Sequence, residues 1–232
     1  MNVLITGANR GLGLAITTEA LERGHHVIAG VRSLRSNIDA LSSLATRHGK
    51  QLEVVELDVT NEEGIAELAG RYKREGRSLG AIINNAAILV ARKERIEGLQ
   101  IEDMERTMDI NLYGPMRVVK HFLPLVTEAK AAVINISSEA GSITNAYGGD
   151  YPYGLSKAGL NMFTQQLKSY VKDRNILVLS IHPGWMMTDM GGEAAHNDPR
   201  ISAKGIVDQM ERRIFSENSF PFVDYLGNTM PT

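Results

Sequence analysis

A tyrosine and a lysine four residues apart, Tyr153 and Lys157, could together transfer a proton. On an α-helix this spacing puts both side chains on one face, within reach of each other. A tyrosine with its ordinary pKa of about 10 is a poor acid or base near neutral pH, but a neighbouring ammonium favours the phenolate and lowers that pKa. The pair therefore indicates a general acid/base for interconverting a carbonyl and an alcohol, although a contact between two surface residues of a helix would have the same spacing.

Two serines, Ser137 and Ser138, follow an apolar run at 131–136 and could add a hydroxyl to this chemistry. Parallel strands present their carboxyl ends to the ligand crevice of an α/β sheet. A hydroxyl there could hydrogen-bond a substrate oxygen as that oxygen gains negative charge. The same pair could equally cap the end of the strand.

A glycine-rich stretch, Thr6–Gly13, follows the first apolar run and opens the first helical pattern. Glycine allows the turn and the close approach of a pyrophosphate to the backbone, and the following helix N-terminus offers N–H donors. In this position the stretch predicts a dinucleotide-binding loop, whereas a tight turn without a ligand is the alternative. The candidate cofactor-binding residues in the loop are Gly7, Asn9, Arg10, Gly11, Leu12 and Gly13.

Two arginines indicate which dinucleotide the loop would bind. A cofactor with a free ribose 2′-hydroxyl is usually met by an acidic residue about 20 residues past the loop. Here no acidic residue occurs between Glu22 and Asp39, Arg32 stands in the expected place, and Arg10 lies in the loop itself. Two guanidinium groups suit a 2′-phosphate, so the sequence predicts NADP(H), with two ordinary solvated arginines as the alternative.

Seven short apolar runs alternate with longer stretches of helical spacing. The runs lack a clean alternation of polar and apolar residues, which is typical of strands buried on both faces of a parallel sheet. The length of 232 residues suits one domain. We therefore predict a single α/β domain over 1–232, a doubly wound Rossmann-type fold with a seven-stranded, mostly parallel sheet and helices on both faces. The predicted strands are 2–6, 26–31, 52–57, 79–83, 131–136, 177–181 and 220–223, and the longest predicted helices are 101–127 and 153–173.

Composition excludes several classes of function. A formal net charge of −2 argues against a broad basic face for nucleic acid or an anionic membrane. With no cysteine, disulfides, thiolate nucleophiles and Cys-ligated metals are impossible. The six histidines show no metal-ligand spacing with a carboxylate, so no metal is expected. No targeting segment and no apolar run of membrane-spanning length is visible, which predicts a cytoplasmic protein.

Seven motifs, in order along the chain, resemble those of the short-chain dehydrogenase/reductase family, in its smaller branch of about 250 residues. Within that family the chain is most similar to the C-factor and sniffer-type carbonyl reductases. The motifs are TGANRGLG at 6–13, LDV at 57–59, NNAA at 84–87, Asn111, ISS at 136–138, YGLSK at 153–157 and HPGWMMTDM at 182–190.

The resemblance implies roles for individual residues around a small carbonyl or alcohol substrate. Tyr153 would be the acid/base, and Lys157 would lower its pKa and hold the ribose hydroxyls. Ser138 would orient the substrate carbonyl, and Asn111 would fix a water that links Lys157 to solvent. The remaining implied cofactor contacts are Asp58 and Val59 for adenine, Asn85, Ala86 and Ala87 for the adenosine side, and Pro183, Gly184, Met186 and Thr188 for the nicotinamide. Tyr147 and Trp185 are the further candidates for substrate binding.

Some features leave alternatives open. The interval between Ser138 and Tyr153 is longer than usual for the family, through an insert at 145–150. Ser142 and Tyr151 are therefore competing candidates, although only Tyr153 has a lysine four residues on. The resemblance is also compatible with a homo-oligomer, a dimer or tetramer paired through helices 101–127 and 153–173, with a monomer as the alternative because carbonyl reductases of the family can be monomeric. A dinucleotide-binding signalling or sensor protein with little or no turnover is the alternative to an enzyme.

Overall fold

Seven strands form one sheet in the computed structural model, which describes residues 1–192, 195–214 and 220–232. The strand order is β3-β2-β1-β4-β5-β6-β7, and all six pairings are parallel. The doubly wound α/β prediction is therefore confirmed. The strands are β1 Asn2–Thr6, β2 His26–Val31, β3 Leu52–Glu56, β4 Ala81–Asn84, β5 Ala132–Ile136, β6 Leu177–His182 and β7 Phe222–Asp224.

Helices cover both faces of the sheet because each strand buries side chains in two directions. Along β1, Val3 and Ile5 belong to a core cluster with α1, α2 and α7, whereas Leu4 between them belongs to a cluster with α3, α5 and α6. This two-sided burial explains why the apolar runs show no period of two. The helices are α1 Gly11–Glu22, α2 Asp39–His48, α3 Glu62–Arg74, α4 Ile101–Met108, α5 Gly114–Phe122, α6 Tyr151–Tyr170 and α7 Pro199–Met210.

The predicted long helix over 101–127 is interrupted. A π-helical turn, Asp109–Tyr113, separates α4 from α5, and a 3₁₀ turn, Leu123–Leu125, ends the segment. Pro115 has no N–H to donate to the preceding turn of an α-helix, and Gly114 N–H bonds to Asp109 O instead. The wider turn places Asn111 in the protein interior, with 1% of its surface exposed.

The sheet creates a crevice where its connections reverse direction. From β1 the chain continues to β2 and β3 on one side, and it returns to β4, β5, β6 and β7 on the other. Ligands of open α/β sheets bind at such a switch point, beyond the carboxyl ends of the strands. Within the described residues, no helix is long and apolar enough to cross a membrane, and no three His, Asp or Glu side chains cluster as metal ligands would.

Candidate active site

A cavity of about 520 Å³ lies beyond the carboxyl ends of the strands. Ligand pockets usually measure roughly 300–1,000 Å³. Most of the residues predicted from the sequence line it: Gly7, Asn9, Arg10, Gly11, Leu12, Gly13, Arg32, Asp58, Val59, Asn85, Ala86, Ala87, Tyr153, Lys157, Pro183, Met186 and Thr188. Asn111, Ser138, Gly184, Tyr147 and Trp185 are outside this lining.

The β1–α1 loop borders the cavity and leaves the start of α1 open to it. Gly7 and Gly11 have positive φ angles of 65° and 53°. A Cβ on Gly13 would lie 2.1 Å from Gly7 O, so the helix can pack this closely only with glycine there. No side chain caps α1 and its first turn has no acidic residue. The first N–H groups of the helix can therefore bind an anion.

Two side chains hold this loop against β4. Asn85 Nδ2 donates to Thr6 O at 3.0 Å and to Gly7 O at 3.1 Å. In return, Thr6 Oγ1 accepts hydrogen bonds from Asn85 N at 3.0 Å and Ala86 N at 3.1 Å. Asn85 lines the cavity, and its side-chain amide orders the β1–α1 loop. The sequence assigns Thr6 no individual role, although Thr6 is the first residue of the glycine-rich stretch Thr6–Gly13.

The two predicted arginines have different surroundings. Arg32 lines the cavity beside Ser36. Arg10 also lines it, but its Nη1 forms an ion pair with Asp189 Oδ2 at 2.7 Å. The Asp58 carboxylate accepts hydrogen bonds from the Thr60 N–H at 2.9 Å and hydroxyl at 2.8 Å. These bonds orient Asp58 at the cavity wall.

Tyr153 and Lys157 project from the first two turns of α6. Ser138 lies near the Tyr153 hydroxyl, and its Oγ accepts a hydrogen bond from Ala140 N at 3.2 Å. Lys157 is 2% exposed, and its Nζ donates to Ile136 O at 2.7 Å and lies 5.4 Å from the Tyr153 ring centroid. The structure thus brings three of the four predicted catalytic side chains together at the end of β5.

Burial shifts the pKa values of Tyr153 and Lys157 in opposite directions. It raises the pKa of Tyr153 to about 12, and the nearby Ser138 hydroxyl opposes this rise. Burial lowers the pKa of Lys157 to about 7. Both shifts have the same cause, because burial disfavours the charged phenolate of Tyr153 and the charged ammonium of Lys157. That Lys157 lowers the pKa of Tyr153 stays a prediction.

The Asn111 side chain hydrogen-bonds to the backbone of the β4–α4 connection. Its Oδ1 accepts from Ile88 N at 2.9 Å, and its Nδ2 donates to Ile88 O at 2.9 Å and to Ser156 Oγ at 3.1 Å. Ile88 itself lines the cavity, so Asn111 fixes the wall from behind. The predicted water relay through Asn111 stays a prediction.

Three further predicted residues are positioned by neighbours outside the cavity. Tyr147 donates its hydroxyl to Asp150 Oδ2 at 3.0 Å, and Trp185 donates Nε1 to Gly191 O at 2.8 Å. Gly184 has a φ of 80°, and a Cβ there would meet the Asn197 side chain at 2.3 Å. Their predicted roles toward substrate and nicotinamide stay predictions.

Comparison with known proteins identifies the family. The short chain dehydrogenase family matches residues 1–199 of this chain. The chain belongs to the short-chain dehydrogenase family. The predicted resemblance is thereby confirmed, and the protein is an oxidoreductase.

Individual relatives of this short-chain dehydrogenase include carbonyl reductases. The NADPH-bound carbonyl reductase from chicken fatty liver has a TM-score of 0.90 and 32% identity, covering 100% of this chain and 98% of that one. Carbonyl reductase Sniffer of D. melanogaster has a TM-score of 0.91 and 31% identity, covering 100% and 99%. The NADP-dependent 3-hydroxy acid dehydrogenase of Shigella flexneri is 32% identical over 185 residues, 79% of this chain and 72% of the relative.

Several cavity residues of this short-chain dehydrogenase escaped sequence-based reasoning. Ser36 and Ile88 line the cavity from loops that carry no recognisable motif. Ser137, one of the two serines that the sequence singles out, also lines the cavity, but its hydroxyl donates to Asn161 Oδ1 at 2.7 Å. Asp189 lies within the quoted HPGWMMTDM motif, but its ion pair with Arg10 joins residues 179 positions apart. Only the folded structure shows that pairing.

Proposed function

We propose that this short-chain dehydrogenase is an NADP(H)-dependent carbonyl reductase, which transfers a hydride between NADP(H) and a small carbonyl or alcohol compound. One observation carries the proposal: a single cavity is lined by the uncapped N-terminus of α1 and by Tyr153 and Lys157, with Ser138 near the Tyr153 hydroxyl. An anionic dinucleotide and a reacting oxygen can therefore be held side by side. NADPH in the chicken structure and the NADP dependence of the Shigella relative support the choice of cofactor.

The residues present fit a dinucleotide with a 2′-phosphate. The first turn of α1, with no acidic side chain, would hold the pyrophosphate. Arg32 lines the cavity and provides a guanidinium for the 2′-phosphate. Lys157, buried but close to the Tyr153 ring, would reach the ribose hydroxyls. When bound, the cofactor supplies the hydride chemistry.

Tyr153 would provide the proton for carbonyl reduction. With a pKa of about 12, its hydroxyl stays protonated at neutral pH, which is the form that reduction requires. As the substrate carbon gains a hydride, the substrate oxygen would take the Tyr153 proton and accept a hydrogen bond from Ser138. Lys157, with a pKa of about 7, can lose or take up a proton near neutrality, so it is suited to reprotonating the phenolate.

Turnover with a panel of aldehydes and ketones tests the proposal. NADPH oxidation is followed by absorbance with the purified chain, and NADPH binding is measured by fluorescence titration. Consumption of NADPH with small carbonyls is the expected result. Tight NADPH binding with no turnover of any carbonyl would instead support a dinucleotide sensor, a function that the comparisons with reductases do not favour.

Arg32→Asp is expected to reverse the cofactor preference from NADPH toward NADH. The substitution replaces attraction for the 2′-phosphate with repulsion and offers an acceptor to a free ribose hydroxyl. The ratio of kcat/KM for NADPH over that for NADH should fall at least about 100-fold, near 3 kcal/mol. Arg35→Asp is the matched control, because Arg35 is exposed in the same loop and is outside the cavity lining. Equal ratios in the two variants would exclude Arg32 as the phosphate ligand.

We also propose that the protein self-associates through exposed apolar side chains of its central helices. These side chains are Ile101, Tyr113, Met116, Leu155 and Met162. A face of this kind commonly marks an interaction site. Light scattering should give at least twice the mass of one chain for the wild type and the mass of one chain for Leu155→Glu/Met162→Glu. A wild-type monomer at high concentration would contradict this proposal.

A further inference from the structure

An exposed ion pair joins two loops across the edge of the cavity. Arg10 Nη1 in the β1–α1 loop lies 2.7 Å from Asp189 Oδ2 in the segment after β6, and their side chains are 69% and 80% exposed. Both residues line the cavity. The pair is thus a contact between opposite walls of the proposed cofactor site.

The Asp189 segment is held at its neighbouring positions as well. Thr188 Cγ2 lies 3.6 Å from the place where a Cβ on Gly11 would be, so the segment packs directly on the phosphate loop. Arg92 Nη1 donates to Met190 O at 3.1 Å, and Thr188 N donates to Met186 O at 2.8 Å. These contacts keep the Asp189 carboxylate beside Arg10.

A carboxylate in this position competes with a phosphate. Guanidinium groups bind both carboxylates and phosphates, and Asp189 Oδ2 occupies one Arg10 donor, Nη1, that a cofactor phosphate could use. An ion pair as exposed as this one is weak and easily exchanged. The Asp189 carboxylate would also repel a phosphate placed in the same cavity.

We propose that Asp189 is a positioning residue for cofactor binding: it holds Arg10 against the 186–190 segment, and a cofactor phosphate takes its place on the Arg10 guanidinium. This inference rests on the proposed function. Asp189 lowers affinity for the phosphate, because its carboxylate occupies Arg10 Nη1 and repels a second anion beside it. The exchange links the position of the 186–190 segment to cofactor binding.

Dissociation constants for NADPH and NADH test this exchange. They are measured by fluorescence titration for the wild type, Asp189→Asn, Arg10→Met and the double variant. Asp189→Asn is expected to tighten NADPH binding about two- to fivefold, which is what loss of one exposed ion pair allows. Arg10→Met should weaken it, and Asp189→Asn should have no effect in the Arg10→Met background. Asp173→Asn, an exposed carboxylate near the opposite end of β6, controls for the change in net charge.

The two cofactors identify which phosphate Arg10 takes. Tightening of NADPH alone assigns the 2′-phosphate, whereas equal tightening of NADPH and NADH assigns the pyrophosphate. The proposal is overturned if Asp189→Asn leaves the affinity for both cofactors unchanged or lowers it. It is also overturned if Asp189→Asn tightens cofactor binding equally when Arg10 is already replaced by Met. Asp189→Glu should restore wild-type affinity, which a merely structural defect in the loop would not predict.

Amide hydrogen exchange on the protein alone gives an independent readout. Asp189→Asn and Arg10→Met should each speed exchange at the Thr188 amide, and the double variant should show no further increase. Unchanged exchange in both single variants would mean that the pair does not hold the segment. If the wild type bound neither cofactor, the proposed function would fail. The hydrogen-exchange rates would still decide whether the ion pair holds the 186–190 segment.

Discussion

Tyr153→Phe is expected to lower kcat for carbonyl reduction about 10²–10⁴-fold, the usual contribution of a positioned general acid. The variant lacks the hydroxyl near Ser138 but keeps the ring near Lys157. NADPH affinity should stay within about twofold, because a hydroxyl-to-hydrogen change leaves the phosphate loop intact. Steady-state kinetics with the best substrate of the panel and a fluorescence titration with NADPH measure the two quantities separately.

Tyr151→Phe is the matched control for this experiment. Tyr151 is the first residue of α6, two positions before Tyr153, and has Leu155 rather than a lysine four residues on. Tyr151→Phe also removes one phenol hydroxyl, but it should leave kcat within about threefold of the wild type. A large loss in Tyr151→Phe with a small loss in Tyr153→Phe would transfer the acid role to Tyr151. Comparable losses in both would point to damage of the α6 N-terminus.

Much of the fold follows from local sequence signals. Apolar runs without alternation mark strands buried on both faces, and the structure places a strand at each of the seven runs. The break between α4 and α5 was not predicted, because the apolar spacing over 101–127 continues through it. Pro115 was the available signal, but its effect depends on Gly114 packing against Val59, where a Cβ would meet the valine side chain at 2.9 Å. That contact joins positions far apart in the chain.

The residues of the candidate site can be predicted where their chemistry depends on spacing along the sequence. They are harder to predict where it depends on how deeply a side chain is buried. The glycine loop and the Tyr153–Lys157 pair are local patterns, so their residues could be named in advance. The partner of Arg10 and the environment of Lys157 come from tertiary packing. Sequence spacing predicts an ammonium beside a phenol, but only the structure shows that Lys157 is buried against Ile136 O.

Lys157→Met is expected to abolish most activity and to stabilise the protein alone. Burial lowers the pKa of Lys157 from 10.5 to about 7, and each unit of that shift destabilises the folded protein by about 1.4 kcal/mol. Removing the buried amine therefore stabilises the protein by more than the ~1 kcal/mol lost with the hydrogen bond to Ile136 O. At pH 7 the variant should melt roughly 5 °C or more above the wild type, while kcat falls at least about 100-fold. Calorimetry of the protein without added cofactor and steady-state assays measure the two effects.

The stability difference should depend on pH in a defined direction. Between pH 7 and 10.5 the unfolded chain keeps the Lys157 proton and the folded chain has lost it, so wild-type stability rises with pH in that window. Lys157→Met lacks this rise, and its advantage in Tm should shrink from pH 7 toward pH 10. Lys172→Met, an exposed lysine just beyond α6, should follow the wild-type curve. Wild-type and Lys157→Met curves that run parallel would show that Lys157 keeps an ordinary pKa in the folded protein, and the active-site lysine would then be charged at neutral pH.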